Sequence, residues 1–247
     1  MKIGGYAHSN GITFFCDVLK IQTIKVKEEI KYEIAWILPP KWLRKLEGKF
    51  LFTSFLVVYY QWRIMSRKYK GLLIGFLLLT ILEEIFKIPV LDKLPYLSIN
   101  KWRIYGVLIL CLLWHLKKII RLFQYHGAEH KVINCYIKYG YVNHYLVKNS
   151  SRFNKRCGSN LVLIMIILYG VLWIFSIESL IAFFLLFLVS IQILKKVVSK
   201  NRRWDKYMNL LQWLTVLEPK EEDIDLAIYG FKALQQAYHV YCREASA

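Results

Sequence analysis

Acidic residues are scarce in this chain of 247 residues: 17 Asp plus Glu stand against 35 Lys plus Arg, a formal net charge of +18. That imbalance suits either a nucleic-acid binder or a protein at an anionic membrane surface. The apolar residues separate the two, because 56% of the chain is hydrophobic, the mean hydropathy is +0.33, and these residues come in unbroken blocks rather than amphipathic stripes. Nucleic acid is therefore not an expected partner. Nor is the chain disordered, since disordered chains lack the apolar residues to form a core. The five cysteines (Cys16, Cys111, Cys135, Cys157 and Cys242) are odd in number and include no C-x-x-C pair. This argues against a disulfide framework and a zinc ribbon, and fits a reducing compartment. The first ten residues lack the apolar stretch and cleavage site of a signal peptide, so none is expected there.

What is present reads as an all-α integral membrane protein of about four transmembrane helices, with a small β-rich N-terminal region and a helical cytoplasmic tail. Residues 12–37 alternate apolar residues with Lys, Glu and Gln, which predicts short antiparallel strands. After Pro39-Pro40 comes a basic stretch with Trp42 and Leu43, suited to an interfacial helix; together these form an N-terminal region, 1–49. Residues 50–71 begin with an apolar run too short for a span of about 20 residues, and are expected to be interfacial or re-entrant. Region 72–122 supplies a first helix pair, with spans at 72–91 and 104–120. Region 161–194 supplies a hairpin of two more, turning near Ser176 to Ser179. Between the pairs lies a cytoplasmic loop, 123–160. A cytoplasmic tail, 195–247, carries two amphipathic helices divided by Pro219. Lys and Arg cluster before the first span, between the second and third, and after the fourth, which places both termini in the cytoplasm and the protein in the cell membrane as a multi-pass chain.

The segment with most chemical content is FQYHGAEHKVIN, residues 123–134. His126 and His130 are four apart, so on a helix their imidazoles share a face and can hold one metal ion. Glu129 beside them can ligate metal, orient a histidine, or act as general base on a metal-activated water. The same histidines could instead cap a helix C-terminus or bond lipid phosphate, and spacing alone leaves both readings open. Further ligand candidates are Cys135, Cys157 in the Arg156-Cys157-Gly158 triplet, and Glu218 before Pro219. His8, His115, His144 and His239 are weaker candidates. Glu83 and Glu84, carboxylates within a predicted span, also qualify as functional candidates.

Gly4-Gly5 with Ala7 and Gly11, then FQYHGAEHK with Cys135-Tyr136, then Arg156-Cys157-Gly158, then Leu211-Gln212, Leu214-Thr215 and Glu218-Pro219 occur in this order. The series resembles the YqhQ-type family of bacterial membrane proteins, described as metal-dependent enzymes by prediction only. The resemblance implies a metal site on His126, Glu129 and His130, joined by Cys157, and implies no substrate. The chain departs from the family pattern at Asn154, where a histidine is usual, at Ile137, where a glutamate is usual, and at Thr13, Phe14 and Phe15.

Two functions follow as expectations. One is a metal-dependent hydrolase, with zinc or another divalent ion on His126, His130 and Cys157 or Glu218, and Glu129 as general base. Its place at the cytoplasmic face of the bilayer favours lipid-linked or membrane-protein substrates. The other is a non-catalytic scaffold or assembly factor with a structural metal, whose basic face meets a cytoplasmic protein or anionic lipid. A transporter is a third reading, disfavoured by the few polar groups in the expected spans.

Overall fold

The computed structural model describes residues 3–26, 29–46, 49, 52–86, 101–177, 179–200, 207 and 209–245. Four strands, β1 (Gly4–His8), β2 (Gly11–Phe15), β3 (Leu19–Val26) and β4 (Glu29–Trp36), form an antiparallel meander in the order β1-β2-β3-β4. The β1–β2 pair closes over Ser9 and Asn10, with His8 opposite Gly11 and Gly5 opposite Phe14. Alternation makes the sheet one-sided: Leu19, Ile21 and Thr23 on β3 are buried while the intervening residues are not.

The helices are α1 (Lys41–Arg44), α2 (Phe52–Ile64), α3 (Arg67–Phe86), α4 (Lys101–Tyr139), α5 (His144–Lys148), α6 (Gly158–Ile174), α7 (Leu180–Lys200), α8 (Leu210–Thr215) and α9 (Glu221–Ala245). The chain divides into two compact units, one of Met1–Tyr60 with Ile119–Ala247 and one of Gln61–Lys118. In the first, α9 lies on the buried face of the sheet. Phe231 meets Phe14 edge-on at 5.5 Å between ring centroids, and Gly230 lets the helix approach Thr23 so closely that a Cβ would lie 2.6 Å from its Oγ1. The core continues through Ala128, Val132 and Cys135 on the second half of α4 and through Ile224, Leu226 and Leu234 on α9. At the start of α9, Asp223 accepts a hydrogen bond from the Lys220 amide at 3.0 Å, the reciprocal half of a capping box. It also accepts a hydrogen bond from Arg121 Nη1 at 2.9 Å within an ion pair that ties α9 to α4. The second unit holds the end of α2, α3 and the first half of α4, with the Lys70 ammonium 5.4 Å from the Trp62 ring centroid.

This architecture overturns the expected all-α, four-span membrane fold. The protein combines a four-stranded sheet with helices. Among the described residues one helix, α7, is long and apolar enough to cross a bilayer, over Ile181–Val198. The apolar part of α3 is only Tyr69–Leu79, and α6 is apolar but has 17 residues, about 25 Å at 1.5 Å per residue against a hydrocarbon layer of about 30 Å. The stretch expected as a second span runs on without a break: α4 continues through Lys117, Lys118 and Arg121 into the HGAEH segment, so the histidines lie on a helix. Apolar blocks therefore read as spans although length and interspersed charge fall short. The chain turns between α6 and α7 at Phe175 to Ile177, with Ser176 at φ 53°. Residues 50–51 and 87–91, which belonged to expected apolar segments, lie outside the described residues, as do the side chains of Glu83 and Glu84.

Candidate metal centre

The helical spacing of His126 and His130 sets their rings edge to face, 4.4 Å between centroids. Cys157, the N-cap of α6, approaches them from the loop that precedes that helix, its Sγ 3.3 Å from His126 Nε2. One ligand atom from each of His126, His130 and Cys157 lies within 4.8 Å of the others. Tetrahedral zinc, with bonds of about 2.0 Å to nitrogen and 2.3 Å to sulfur, wants its ligand atoms about 3.3–3.6 Å apart. The Cys157–His126 separation already meets that spacing, and the third side chain has little distance to close.

Backbone carbonyls orient both imidazoles. His126 Nδ1 is 3.0 Å from the Thr215 carbonyl oxygen, and His130 Nδ1 is 2.6 Å from that of Arg152. A carbonyl only accepts, so each Nδ1 carries the proton and each Nε2 keeps its lone pair, the tautomer that a metal-ligating histidine needs. Burial favours neutral rings: it holds His126 below the ordinary histidine range, and with the neighbouring His126 ring it pushes His130 down to about 3, against the opposing pull of the Arg152 carbonyl. Burial pushes the Cys157 thiol up to about 11, despite the lowering hydrogen bond from Ser159, and Glu129 up to about 8. Glu129 is 4% exposed, with Oε2 3.9 Å from His126 Nε2.

Two glycines make this packing possible. A Cβ at Gly127 would sit 2.0 Å from the Leu217 carbonyl oxygen, so the segment after α8 crosses α4 directly against its backbone; there the Leu217 amide donates to the Phe123 carbonyl at 3.1 Å. On the other side Gly5 of β1 lies against Glu129, where a Cβ would be 2.7 Å from Cγ and 2.9 Å from Oε1. The N-terminal glycines thus fold back on the site, but through Gly5 and not through His8, whose Nδ1 bonds Asn10 at 3.0 Å.

The remaining candidates lie apart from the group. Glu218 is 61% exposed and pairs with Lys131 at 2.5 Å and Arg152 at 3.8 Å, so it bridges α4 and the loop before α6 instead of adding a ligand. Cys135 is buried in the core, its thiol donating to the Tyr141 carbonyl at 3.5 Å. His144 pairs with Glu221 and Asp225 at 3.1 and 3.4 Å, and His115 and His239 are exposed. At the divergent positions, Asn154 accepts from the Arg156 amide at 2.9 Å, Ile137 is exposed on α4, and Phe14 fills the core under α9.

Sequence reasoning passed over the residues that hold this loop. The Gln212 side chain accepts from the Asn154 amide at 2.9 Å and donates to the Asn154 carbonyl and to Asn160 Oδ1, both at 2.8 Å. Asn134 donates to the Ser151 and Phe153 carbonyls at 2.7 and 2.9 Å. Gln212 stood within the motif series, and a buried amide between apolar neighbours was the available signal. The Thr215 and Arg152 contacts use backbone atoms and leave no trace in side-chain identity.

Fold and site together define a mixed α/β protein with a buried His₂Cys group and an adjoining carboxylate. The chain belongs to the family described as Protein of unknown function (DUF1385), which matches residues 59–237. It is similar to the Uncharacterized protein YqhQ of Bacillus subtilis (strain 168), 37% identical over 131 residues that cover 47% of this chain and 41% of that protein. The chain therefore spans less than half the length of this curated relative. No solved structure matches. The resemblance read from the motifs is correct. The site lies wholly within the matched segment, whereas the sheet that supplies Gly5 precedes it.

Proposed function

We propose that this protein is a membrane-associated metal protein, with His126, His130 and Cys157 holding a divalent ion, zinc by donor set, and Glu129 placed to act on water as general base. The observation that carries the reading is the convergence of three ligand atoms within 4.8 Å while both Nδ1 atoms are occupied by backbone carbonyls. A histidine satisfied by the Thr215 carbonyl has no need to turn its free Nε2 toward the Cys157 thiol, as His126 does. Three protein ligands beside a carboxylate is the donor count of hydrolytic zinc sites, which keep a fourth position for water or substrate. A bound ion would supply Lewis acidity sufficient to make water reactive at neutral pH. With an ion bound, Cys157 would serve as a thiolate ligand and the two histidines as neutral ones, and Glu129 would be the residue placed to accept a proton from water.

Membrane association rests on α7 and on large apolar side chains that α6, α7 and their turn leave outside: Ile174 is 73% exposed and Ile181 71%. Lipid-linked or membrane-protein substrates fit that placement. A second reading, a scaffold with a structural metal, is favoured by burial, since His130 and Glu129 are nearly inaccessible and Gly5 packs over the carboxylate. The test is elemental analysis of untagged protein beside His126→Ala/His130→Ala and Cys157→Ser variants. About one transition metal per chain, lost in both variants, supports the metal reading, and its absence from protein prepared without chelators defeats it. Cobalt substitution then separates the two readings: a visible spectrum that shifts on adding a small anion marks an open position, and an indifferent one marks the scaffold.

A further inference from the structure

The two edges of the sheet differ in exposure. β1 is half-buried along its length, whereas every residue of β4 except Ala35 is exposed, and among the described residues no strand pairs with its outer side. β4 runs in unbroken register with β3 and contains no proline or bulge, the devices that commonly blunt such an edge. Its ladder fixes which backbone groups are left over. The Ile37 amide donates to the Val18 carbonyl at 2.9 Å, so Ala35, Glu33 and Lys31 also turn their backbones toward β3, and Ile30, Tyr32, Ile34 and Trp36 turn theirs outward. These four side chains share the sheet face of Leu19 and Ile21, and Tyr229 and Tyr241 of α9 meet Tyr32 and Trp36 at 6.0 and 5.7 Å between ring centroids. Tyr32 and Ile34 nonetheless remain 49% and 51% exposed. The opposite face of β4 carries Glu29, Lys31 and Glu33.

We infer that β4 pairs antiparallel with β4 of a second copy, about a two-fold axis at Tyr32, joining two four-stranded sheets into one. The strand EIKYEIAW complements itself in that register. Tyr32 opposes the partner's Tyr32, Ile30 opposes the partner's Ile34, and Lys31 opposes the partner's Glu33, an ion pair that the symmetry repeats. Both charge pairs fall between the hydrogen-bonded positions, where side chains across an antiparallel pair approach most closely. The outward N–H and C=O groups of Ile30, Tyr32 and Ile34 then form about six backbone hydrogen bonds across the axis. Neighbouring registers lose the match. Moving the axis to Lys31 sets Lys31 against itself and Glu29 against Glu33, moving it to Glu33 sets that carboxylate against itself, and moving it farther shortens the ladder. A slip by one residue puts the apolar face of one copy beside the charged face of the other. Lys31 has Glu29 3.8 Å away on its own strand, with both side chains largely exposed, a pair of little strength that dimerisation can exchange for Glu33. The inference stands apart from both the metal reading and the seating of α7.

The test uses the untagged full chain in detergent, its mass followed through a dilution series by light scattering with the detergent contribution subtracted. The wild type should be a dimer that dissociates on dilution. Lys31→Glu opposes carboxylates across the axis and Glu33→Lys opposes ammonium groups, so each variant should dissociate about tenfold more readily. Mixed in equal amounts, the two variants again oppose unlike charges and should form a mixed dimer of wild-type strength, a rescue that a folding defect cannot produce. Register is read separately in a Cys111→Ser/Cys242→Ser background. A short thiol cross-linker should join two chains through Tyr32→Cys but not through Ile34→Cys, whose counterpart lies about 13 Å away. Thermal melting of each variant confirms that it folds. A wild type that is monomeric at every concentration, a dimer indifferent to both single variants, a mixture that stays dissociated, or cross-linking through Ile34→Cys in preference to Tyr32→Cys overturns the inference.

Discussion

Replacing Gly127 with alanine tests whether the 217–219 segment truly crosses α4 at the backbone. In an open helix interior the change stabilises by about 1 kcal/mol, because alanine has the higher helix propensity. Here the new Cβ would meet the Leu217 carbonyl oxygen at 2.0 Å and Pro219 Cδ at 3.2 Å, and neither a backbone carbonyl nor a proline ring can rotate away. Overpacking of this kind costs roughly 1–3 kcal/mol, and losing the Leu217–Phe123 hydrogen bond adds about 1 kcal/mol. The net expectation is a loss of about 2 kcal/mol, which for a chain of this size lowers the thermal midpoint by roughly 4–8 °C. Gly170 on α6 is the control, since a Cβ there meets nothing within 4 Å, and Gly170→Ala should leave the midpoint unchanged or raised. Displacing the segment also moves the Thr215 carbonyl off His126 Nδ1, so Gly127→Ala should weaken zinc binding as well. If Gly127→Ala melts with the control and binds zinc like the wild type, the crossing is wrong, and with it the account of how His126 is oriented.

Other perturbations reach the site from different sides. Gly5→Ala pushes a methyl group against Glu129 Cγ, a contact only the carboxylate side chain can relieve; zinc content should persist while any hydrolytic rate falls, and an unchanged rate removes Glu129 from the chemistry. Gln212→Leu strips partners from Asn154 and Asn160 in a buried setting and should cost about 2–4 kcal/mol in chemical denaturation; a loss under about 0.5 kcal/mol would show that the loop before α6 is held by other contacts. Burial keeps His8 below the ordinary histidine range, so the unfolded chain takes up a proton that the folded chain refuses. Stability should therefore fall as pH drops below about 6.5, and the slope should be shallower in His8→Gln. Zinc binding at pH 7 should release about two protons per ion, from Cys157 and Glu129, measured by calorimetry in buffers of different ionisation enthalpy, and about one in Glu129→Gln.

The heart of the candidate site was legible because its residues follow local rules. His126, Glu129 and His130 declare themselves by i, i+3 and i+4 spacing, and strand alternation in residues 12–37 announced the sheet. Cys157 was readable only as a reactive residue type near an expected helix start. Glu218 could not be placed from sequence for a physical reason: a glutamate beside proline looks the same whether it faces a metal or, as here, Lys131 and Arg152. The span count failed because hydropathy measures composition while crossing a bilayer also demands uninterrupted length. In α4 an apolar first half and a polar, buried second half share one continuous helix. Nothing local in the sequence marks that continuity.

The charges of the buried group explain how such a site can exist at all. Without an ion, two neutral imidazoles, a protonated Cys157 and a protonated Glu129 place no net charge in the core, so burial carries no large electrostatic penalty. With a divalent cation, a thiolate and a carboxylate together cancel its two positive charges. The exchange of two protons for one divalent ion is electroneutral, and it requires Glu129 whether or not that residue ever touches the metal. Removing the carboxylate therefore disfavours the loaded state more than the empty one, and Glu129→Gln should bind zinc more weakly even in a purely structural site. Affinity alone cannot assign Glu129 as a base. That assignment depends on a rate that falls further than zinc occupancy does.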